Sequence, residues 1–573
     1  MTADRQQRRP AARDGARAAR ASHRRPRHRG PRALLAFLLA AFLLVGIGAA
    51  AGIAWNADPT GSRPERAGRD TGPPGARTPT PTGAAPATPA PEPPPPTPSA
   101  SASPSGPAPT DGPPGHAATP ALPFDLPSPA ALRSGAAAGK LVFAHYFTPY
   151  PLSLDNAAAD VDYYTRNYLR PAGENGRHLG YGGLLRDRPP PVAPGTGDWE
   201  YANLLREVRT ARAAGLDGFT LDLLSLSGKN WERSTALLRA AHAVDPGFKI
   251  MLMPDMTSLD TDDPAVLADA LATLAASPAA HRLGDGRLVV SPFKAEAKDV
   301  GWWERVLDRL ASRHGVRTAF VPLFLDFAAH GTAFAPISHG FSEWGSRSHV
   351  GQEGATEDVR RAHALGKIWM QPVSVQDARP NQGVYDEAGN TATLRSTWTH
   401  AIEDGADWVQ LTTWNDYSEG SHIAPSLHNG STYLDLTSYY LTRFKTGSWP
   451  EIVRDTLYLT SRTQFTGAAP TAPGQTRLMS LRKGSAAARD TVEVLSFLTA
   501  SGTVRTTVGA AKAAHETPAG VHARLLPLAP GTSSARLARE GSEEVRVELP
   551  YPVERTPDVQ DLQYYAATSG RKP

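Results

Sequence analysis

Two carboxylic acids three residues apart, Asp416 and Glu419, are the strongest chemical signal in the sequence. They lie in VQLTTWNDYSEGSHIAP (409–425), directly after the β-branched apolar run of a predicted buried strand. Charges are rarely placed there without partners or a task. Two carboxyl groups on one cleft are the minimum for glycoside hydrolysis: one stays protonated for the leaving oxygen, and the other stays charged to activate water. We predict Glu419 as the acid and Asp416 as the base.

Polar side chains also follow other apolar runs, at or near the end of each run. A single buried Asp is more often a helix cap than a catalyst. Several polar residues at the same position relative to their strands, however, are expected to lie close together in the fold. Aromatic side chains near the same ends could stack on sugar rings. We therefore predict substrate contacts from His145, Tyr146, Asp222, Asp255, Asp326, Glu343, Gln371, Trp414, Asn415, Tyr417 and His422.

The elements that must position these residues alternate between strand-like and helix-like patterns across residues 138–450. Amphipathic stretches, several ending at Gly, separate the strands. Eight such units predict a (β/α)8 barrel with its active site at the carboxyl ends of the strands. The predicted strands are 140–147, 216–225, 248–256, 287–296, 318–327, 339–345, 367–375 and 407–416.

Residues 451–573 change to short runs with period-two alternation and Gly turns. This pattern predicts an antiparallel, sandwich-like β domain without a catalytic constellation of its own. Packing against the barrel is the expected role, and sugar binding is the alternative.

The N-terminal part of the chain predicts export. Residues 1–32 hold 11 Arg and two Asp, so subtracting this +9 from the formal net charge of +4 leaves −5 for the rest. Residues 33–55 carry no charge and are long enough to cross a bilayer. We expect an uncleaved membrane anchor with an extracellular head, and secretion after cleavage near Ala49–Ala51 is the alternative. Residues 56–137 are rich in Pro, Thr, Ser and Ala and predict an extended, disordered spacer.

Several chemistries are excluded by what the sequence lacks. It has no Cys, and no GxSxG, Walker-type, HExxH or CxxC motif. We expect no cofactor and no metal. We also expect no nucleic-acid partner, because the apolar segment beside the basic tail already explains the charge of that tail. We expect a monomer.

The chain resembles glycoside hydrolase family 71, the α-1,3-glucanases or mutanases, from about Lys140 to Thr460. The resemblance rests on FAHYF, GLDGFTLDL, KIMLMPDM and above all TWNDYSEGSHIAP, which is similar to the family's TWNDYGESHYIGP. Gly420 is an added residue between Glu419 and Ser421. The resemblance implies Asp416 and Glu419 as the catalytic pair, an inverting mechanism and α-1,3-glucan as substrate. It leaves the N-terminal tail, the spacer and much of the β domain outside.

Two alternatives stay open at this point. A related barrel glycosidase acting on α-mannosides would share the fold, and a non-catalytic glucan-binding surface protein would keep the cleft without the rate. Retention of both carboxylates favours hydrolysis by an enzyme of the glucan endo-1,3-α-glucosidase type.

Overall fold

A computed structural model describes residues 122–259, 261–539 and 542–571. The predicted basic tail (1–32), the apolar segment (33–55) and residues 56–121 of the predicted spacer lie outside these residues. Residues 122–137 were also predicted as disordered spacer, but Phe124 and Leu132 are buried in the main core, so the structure corrects this part of the prediction. Among the helices so described, none combines the length and apolar character needed to cross a bilayer.

A parallel sheet forms the centre of residues 141–411 and carries helices on its outer face. In chain order the strands here are β1 Leu141–Tyr146, β2 Gly218–Leu223, β3 Lys249–Pro254, β4 Leu288–Val290, β5 Thr318–Phe320, β6 Leu323–Phe324, β7 Gly340–Glu343, β8 Ile368–Val373, β9 Asp377–Arg379, β10 Val384–Asp386 and β11 Trp408–Leu411. All except β9 and β10 join one sheet, in the order β5-β4-β3-β2-β1-β11-β8-β7-β6. These positions agree with the eight predicted strands.

The two ends of this sheet belong to one stretch of chain, residues 318–324. β5 pairs with β4, while β6 pairs with β7 on the other side. Between them, the Val321 amide donates to the Val290 carbonyl (2.9 Å), and the Pro322 carbonyl accepts from the Ser342 amide (3.0 Å). Pro322 has no amide hydrogen, which accounts for the break in the strand. The curled parallel sheet and its helices fit the predicted α/β barrel.

Helices follow the strands as expected for βα units. Several begin at an Asp whose carboxylate accepts from a first-turn amide, as Asp198 does from Tyr201 and Asp299 from Trp302. The helices of eight residues or more within the described ranges are α1 Trp199–Ala213, α2 Gly228–Val244, α3 Pro264–Ala275, α4 Val300–His314, α5 Phe327–Phe334, α6 Glu353–Ala364, α7 Ala392–Glu403 and α8 Thr432–Thr446.

Residues 122–139 pack beneath the barrel, against the loops that precede its strands. The rings of Phe124 and Tyr439 are 5.4 Å apart. Arg133 donates to Asp245 (2.8 Å) in the loop that precedes β3. This segment therefore lies at the amino-terminal ends of the strands.

The C-terminal residues form two antiparallel four-stranded sheets with a common apolar core, as the alternation predicts. The orders are β17-β14-β12-β20 and β16-β15-β18-β19. Leu459 and Val494 of the first sheet share this core with Val504, Leu537 and Leu549 of the second. The strands are β12 Thr456–Ser461, β13 Ser480–Leu481, β14 Thr491–Leu498, β15 Gly502–Val508, β16 Ala511–Thr517, β17 Gly520–Pro527, β18 Gly531–Arg539, β19 Ser542–Val553 and β20 Tyr565–Thr568.

The β domain and the barrel share buried surface. Tyr458 and Phe497 of the β domain belong to the main apolar core of the barrel. The ring of Phe497 lies 5.0 Å from that of Tyr439 on α8. Strand β13 also extends the β9–β10 hairpin into a small three-stranded sheet. This hairpin is inserted between β8 and α7, at the carboxyl end of the barrel.

Candidate active site

The loop after β11 carries the predicted catalytic pair across the carboxyl end of the barrel. Its backbone is tied on both sides: the Trp414 amide donates to the His145 carbonyl (2.7 Å), and the Thr413 amide donates to the Ser421 carbonyl (3.0 Å). These bonds fix the path of the chain on either side of Asp416 and Glu419.

Asp416 is buried, and its carboxylate accepts two hydrogen bonds from Ser418. The Ser418 amide donates at 3.0 Å and the Ser418 hydroxyl at 2.7 Å. Burial raises the pKa of Asp416, and the Ser418 hydrogen bonds, Arg379 and His145 oppose that rise. The Ser418 donors favour the charged form, which a base requires.

Oε1 of Glu419 lies 2.6 Å from Nη1 of Arg379. Oε2 of Glu419 is buried and has no hydrogen-bond partner among the residues that the structure describes. Burial raises the pKa of Glu419 to about 8; Asp416 and Asp377 add to the rise, and Arg379 and Arg347 oppose it. At neutral pH this carboxyl group therefore holds a proton, as a general acid must.

Two arginines that the sequence analysis did not single out surround the pair. Arg379, on β9, donates from Nε (2.8 Å) and Nη2 (2.6 Å) to the two oxygens of Asp377. Arg347, between β7 and α6, is buried, donates to Ser374 (2.6 Å) and lies 3.8 Å from Asp377. Both follow barrel strands within a few residues, so extending the strand-end rule past β7 and β8 would have found them.

The balance of charge among the buried carboxyl and guanidinium groups favours one protonated carboxyl group. Burial opposes charge on Asp377, yet its arginine neighbours hold its pKa below the usual range. Three guanidinium groups, those of Arg347, Arg379 and Arg482, thus face four carboxyl groups, those of Asp377, Asp386, Asp416 and Glu419. Since buried like charges repel, one carboxyl group is favoured in its protonated form.

Three further predicted residues lie deeper in the mouth of the barrel. Nε2 of His145 is 3.5 Å from Asp222, and burial lowers the pKa of this His to about 4. Burial, with Asp255 and Asp416 nearby, raises the pKa of Asp222 well above its usual value. Asp255 accepts from the Thr257 amide (2.7 Å) and the Ser258 hydroxyl (2.9 Å). The structure brings all three together with Asp416.

Partly exposed rings line the same mouth. The ring of Trp344 lies 5.1 Å from that of His145 and 4.9 Å from that of Phe293. The Arg347 guanidinium lies 4.6 Å from the Trp344 ring centroid. Such rings offer apolar faces to a sugar.

Three other predicted contacts, with Tyr146, Trp414 and Asn415, are corrected by the structure. The Tyr146 hydroxyl donates to Glu207 on α1 (2.9 Å), and the Trp414 ring packs on that of Phe219 (5.1 Å). Both side chains are 1% exposed. Tyr146 faces the helices because successive residues of β1 face opposite sides of the sheet. The Asn415 amide is fully used by the Phe147 backbone and the Tyr150 carbonyl, so it anchors the loop after β1.

Asp326, Glu343 and Gln371 also lie outside the mouth. Asp326 caps α5 by accepting from the Ala329 amide (3.0 Å). Glu343 accepts from the Phe327 amide (3.2 Å), and burial, with Asp358 beside it, raises its pKa to about 7. Gln371 accepts from the Trp369 indole (2.7 Å). Glu343 and Gln371 lie on the outer face of β7 and β8, and Asp326 is used as a helix cap. The three predicted substrate contacts are therefore corrected.

Tyr417 and His422 support the catalytic loop from within. His422 is fully buried, with Nε2 3.1 Å from Asp187 and 3.1 Å from the Asn429 amide. The Tyr417 ring lies 4.3 Å from the His422 ring, and its hydroxyl donates to the Pro425 carbonyl (3.4 Å). Neither side chain reaches the mouth, and the two predicted contacts are corrected accordingly.

Metal chemistry was not expected from the sequence. Within the described ranges, no three His, Asp or Glu side chains are arranged to hold a metal ion.

Comparison with known proteins identifies relatives of the chain. It is 26% identical over 381 residues to a glucan endo-1,3-alpha-glucosidase of Schizosaccharomyces pombe, covering 61% of this chain and 87% of that protein. It is 26% identical over 371 residues to a mutanase of Penicillium rubens, covering 60% and 80%. Among solved structures, an endo-alpha-mannosidase of Bacteroides thetaiotaomicron matches with a TM-score of 0.41 and 15% identity, covering 53% and 97%.

The model of glycosyl hydrolase family 71 matches residues 194–569. The match continues through the β domain, which corrects the expectation that much of this domain lies outside the family. A match over more than half of the chain shows membership, and the chain belongs to glycosyl hydrolase family 71 and is a glycoside hydrolase.

Proposed function

We propose that the protein hydrolyses α-1,3-glucan, with Glu419 as general acid and Asp416 as general base. The observation that carries this proposal is the paired chemistry of the two carboxyl groups. Burial keeps a proton on Glu419, while Ser418 donates twice to Asp416. Relatives named as an endo-1,3-alpha-glucosidase and a mutanase support the choice of substrate.

In the proposed reaction, Glu419 donates its proton to the glycosidic oxygen as the bond to the anomeric carbon breaks. Asp416 removes a proton from a water that attacks the opposite face of that carbon. The product is inverted, so an α-linked glucan yields a β-anomer first. Asp222 and neutral His145 bind sugar hydroxyls, Asp255 orients them, and the Trp344 ring stacks on a glucose unit.

A polysaccharide panel tests the substrate. The chain from residue 122 to the C-terminus is incubated with α-1,3-glucan, dextran, starch and mannan, and new reducing ends are measured. We expect release from α-1,3-glucan alone. Release from mannan would favour an α-mannosidase instead, and binding to α-1,3-glucan without release would indicate a non-catalytic glucan-binding protein.

Variants of the pair test the mechanism. Asp416→Asn and Glu419→Gln each remove most activity and leave glucan binding intact, and their effects are not additive because both groups serve one transition state. A substrate with a good leaving group rescues Glu419→Gln only, because it needs less protonation. Proton NMR of the first product anomer checks inversion, and an α-anomer would mean retention.

The proposed location is the outer surface of the cell, with residues 33–55 as membrane anchor. This proposal rests on the sequence of the N-terminal part. A relative named as an ascus wall glucanase is in keeping with the secreted alternative. Membrane fractionation followed by external protease treatment distinguishes the two, since an anchored protein sediments with membranes and loses its head on cleavage.

A further inference from the structure

The hairpin β9–β10 reaches the catalytic acid although it belongs to neither the barrel sheet nor the catalytic loop. Arg379 on this hairpin contacts Glu419, with 2.6 Å between Nη1 and Oε1. The Ala378 amide of the same strand donates to the Glu419 backbone carbonyl (2.7 Å). The hairpin therefore holds Glu419 at both its side chain and its backbone.

Arg379 is itself held in one orientation. Its other nitrogens donate to the two carboxylate oxygens of Asp377, which fixes the plane of the guanidinium group. Asp377 is fully buried. Only Nη1 is left to point at Glu419.

The C-terminal part of the chain completes this support. Strand β13 pairs with β10 through Val384 and Tyr385. Arg482, directly after β13, donates to Asp386 (2.6 Å) and lies 3.6 Å from Asp377. The hairpin thus lies between the catalytic loop and the connection from β12 to β14 of the β domain.

We propose that Arg379 is a positioning residue that, oriented by Asp377, sets the direction and the protonation of the Glu419 carboxyl group. By holding Oε1, Arg379 leaves Oε2 as the oxygen that carries the proton. Because Oε2 has no hydrogen-bond partner among the described residues, it is available to carry the proton. This proposal rests on the proposed role of Glu419 as acid.

Arg379 and Asp377, together called the clamp below, shift the pKa of Glu419 in opposite directions. The charged groups facing Glu419 are Arg379 and Asp377 of β9, Arg347 of the loop after β7, and Asp416 of its own loop. Removing the Arg379 cation makes the charged form of Glu419 less favourable and raises its pKa. Removing the Asp377 anion lowers that pKa.

The test compares Arg379→Met, Arg379→Lys and Asp377→Asn in the full chain. We expect the alkaline limb of kcat on α-1,3-glucan to move to higher pH in Arg379→Met and to lower pH in Asp377→Asn. We expect kcat of Arg379→Met to fall about a hundredfold, because a displaced acid is poorly aligned. Arg379→Lys keeps the positive charge but not the planar guanidinium group that binds Asp377 through two nitrogens. We therefore expect a smaller shift of the alkaline limb of kcat, while part of the loss in kcat remains.

Arg454→Met is the matched control, because Arg454 pairs with Asp125 away from the site. It should change neither limb nor kcat. An equal loss of activity at every pH without a shift, or shifts of both variants in the same direction, would overturn the proposal.

A second measurement separates this proposal from the proposed function. The Glu419 carboxyl group is titrated by carbon-13 NMR in protein labelled at Glu, with Glu419→Gln used for assignment. Opposite shifts of this titration in Arg379→Met and Asp377→Asn support the clamp even if the wild type cleaves no glucan. A wild type active on α-1,3-glucan whose Glu419 titration is unchanged in both variants refutes the clamp alone.

Discussion

Gly420 of the catalytic loop and Gln563 of the C-terminal segment are in close contact. A Cβ added at Gly420 would lie 2.4 Å from Nε2 of Gln563, and Gly420 has a φ of +62°. Gly420 thus lets the C-terminal segment approach the backbone directly beside Glu419. Glycine suits both demands, because it lacks a Cβ and readily adopts positive φ.

Gly420→Ala should reduce both stability and activity. The positive φ alone costs about 1 to 2 kcal/mol for a residue with a Cβ, and the clash with Gln563 displaces Glu419. Gly405→Ala is the matched control, since Gly405 has a φ of +80° with open space around it. We expect both variants to lower Tm but only Gly420→Ala to lower kcat, and the added change Gln563→Ala to restore part of that kcat. Equal kcat in both glycine variants would contradict this.

Asp255→Asn should lower kcat about a hundredfold, because Asp255 orients groups in the mouth of the barrel. Asp326→Asn is its counterpart, an Asp at another strand end that only caps a helix. Asn caps a helix as well as Asp does, so this variant should keep the wild-type kcat and Tm. Steady-state kinetics with circular dichroism check both. Unchanged kinetics in folded Asp255→Asn would assign that residue a structural role.

Glu207 should make the protein less stable as pH rises. Burial raises its pKa in the folded protein to about 8 from a usual value of 4.5. The folded state therefore keeps a proton that the unfolded chain loses above pH 4.5, and stability declines between pH 4.5 and about 8. Glu207→Gln keeps an acceptor for Tyr146 and removes this titration.

Denaturant unfolding at pH 5 and pH 8 checks the effect of Glu207. The free energy of unfolding of Glu207→Gln, relative to wild type, should increase between the two pH values. Glu200→Gln, on the same helix but half-exposed and paired with Lys229, should show no such trend. Parallel curves for wild type and Glu207→Gln would contradict the assignment.

Removing the β domain after Pro450 should destabilise the barrel. The truncation exposes Tyr439 and takes away Arg571, which donates to buried Asp435 on α8 (2.7 Å). Phe497→Ala, a milder change at the same interface, should lower the free energy of unfolding by about 3 kcal/mol. Leu525→Ala, on an exposed position of the same domain, should cost little. A truncated barrel with the Tm and activity of the full chain would show two independent domains.

The positions of the strands, and the polar residues at their carboxyl ends, could be predicted because they depend on local sequence patterns. Alternating apolar runs and amphipathic stretches define the βα units without any long-range information. The same holds for the sandwich, where period-two alternation is directly visible in the sequence. Asp416, Glu419, His145, Asp222 and Asp255 were predicted to lie at the mouth because carboxyl ends of parallel strands meet on one side of a barrel.

The side of the sheet that each side chain at a strand end faces was harder to predict. His145 and Tyr146 are neighbours, yet one faces the mouth and the other faces α1, because a shift of one residue reverses the side. Tyr146, Glu343 and Gln371 were assigned to the mouth by their position along the strand and are on the outer face by phase. Arg379 was missed for another reason: its hairpin interrupts a βα unit, and the third strand of its sheet comes from about a hundred residues further along the chain.

Residues 122–139 lie at the amino-terminal ends of the barrel strands, where Arg133 binds Asp245 in the loop before β3 and Phe124 packs on Tyr439 of α8. Asp416 and Glu419 lie at the other end of those strands. The first described residues therefore lie on the side of the barrel opposite the catalytic pair.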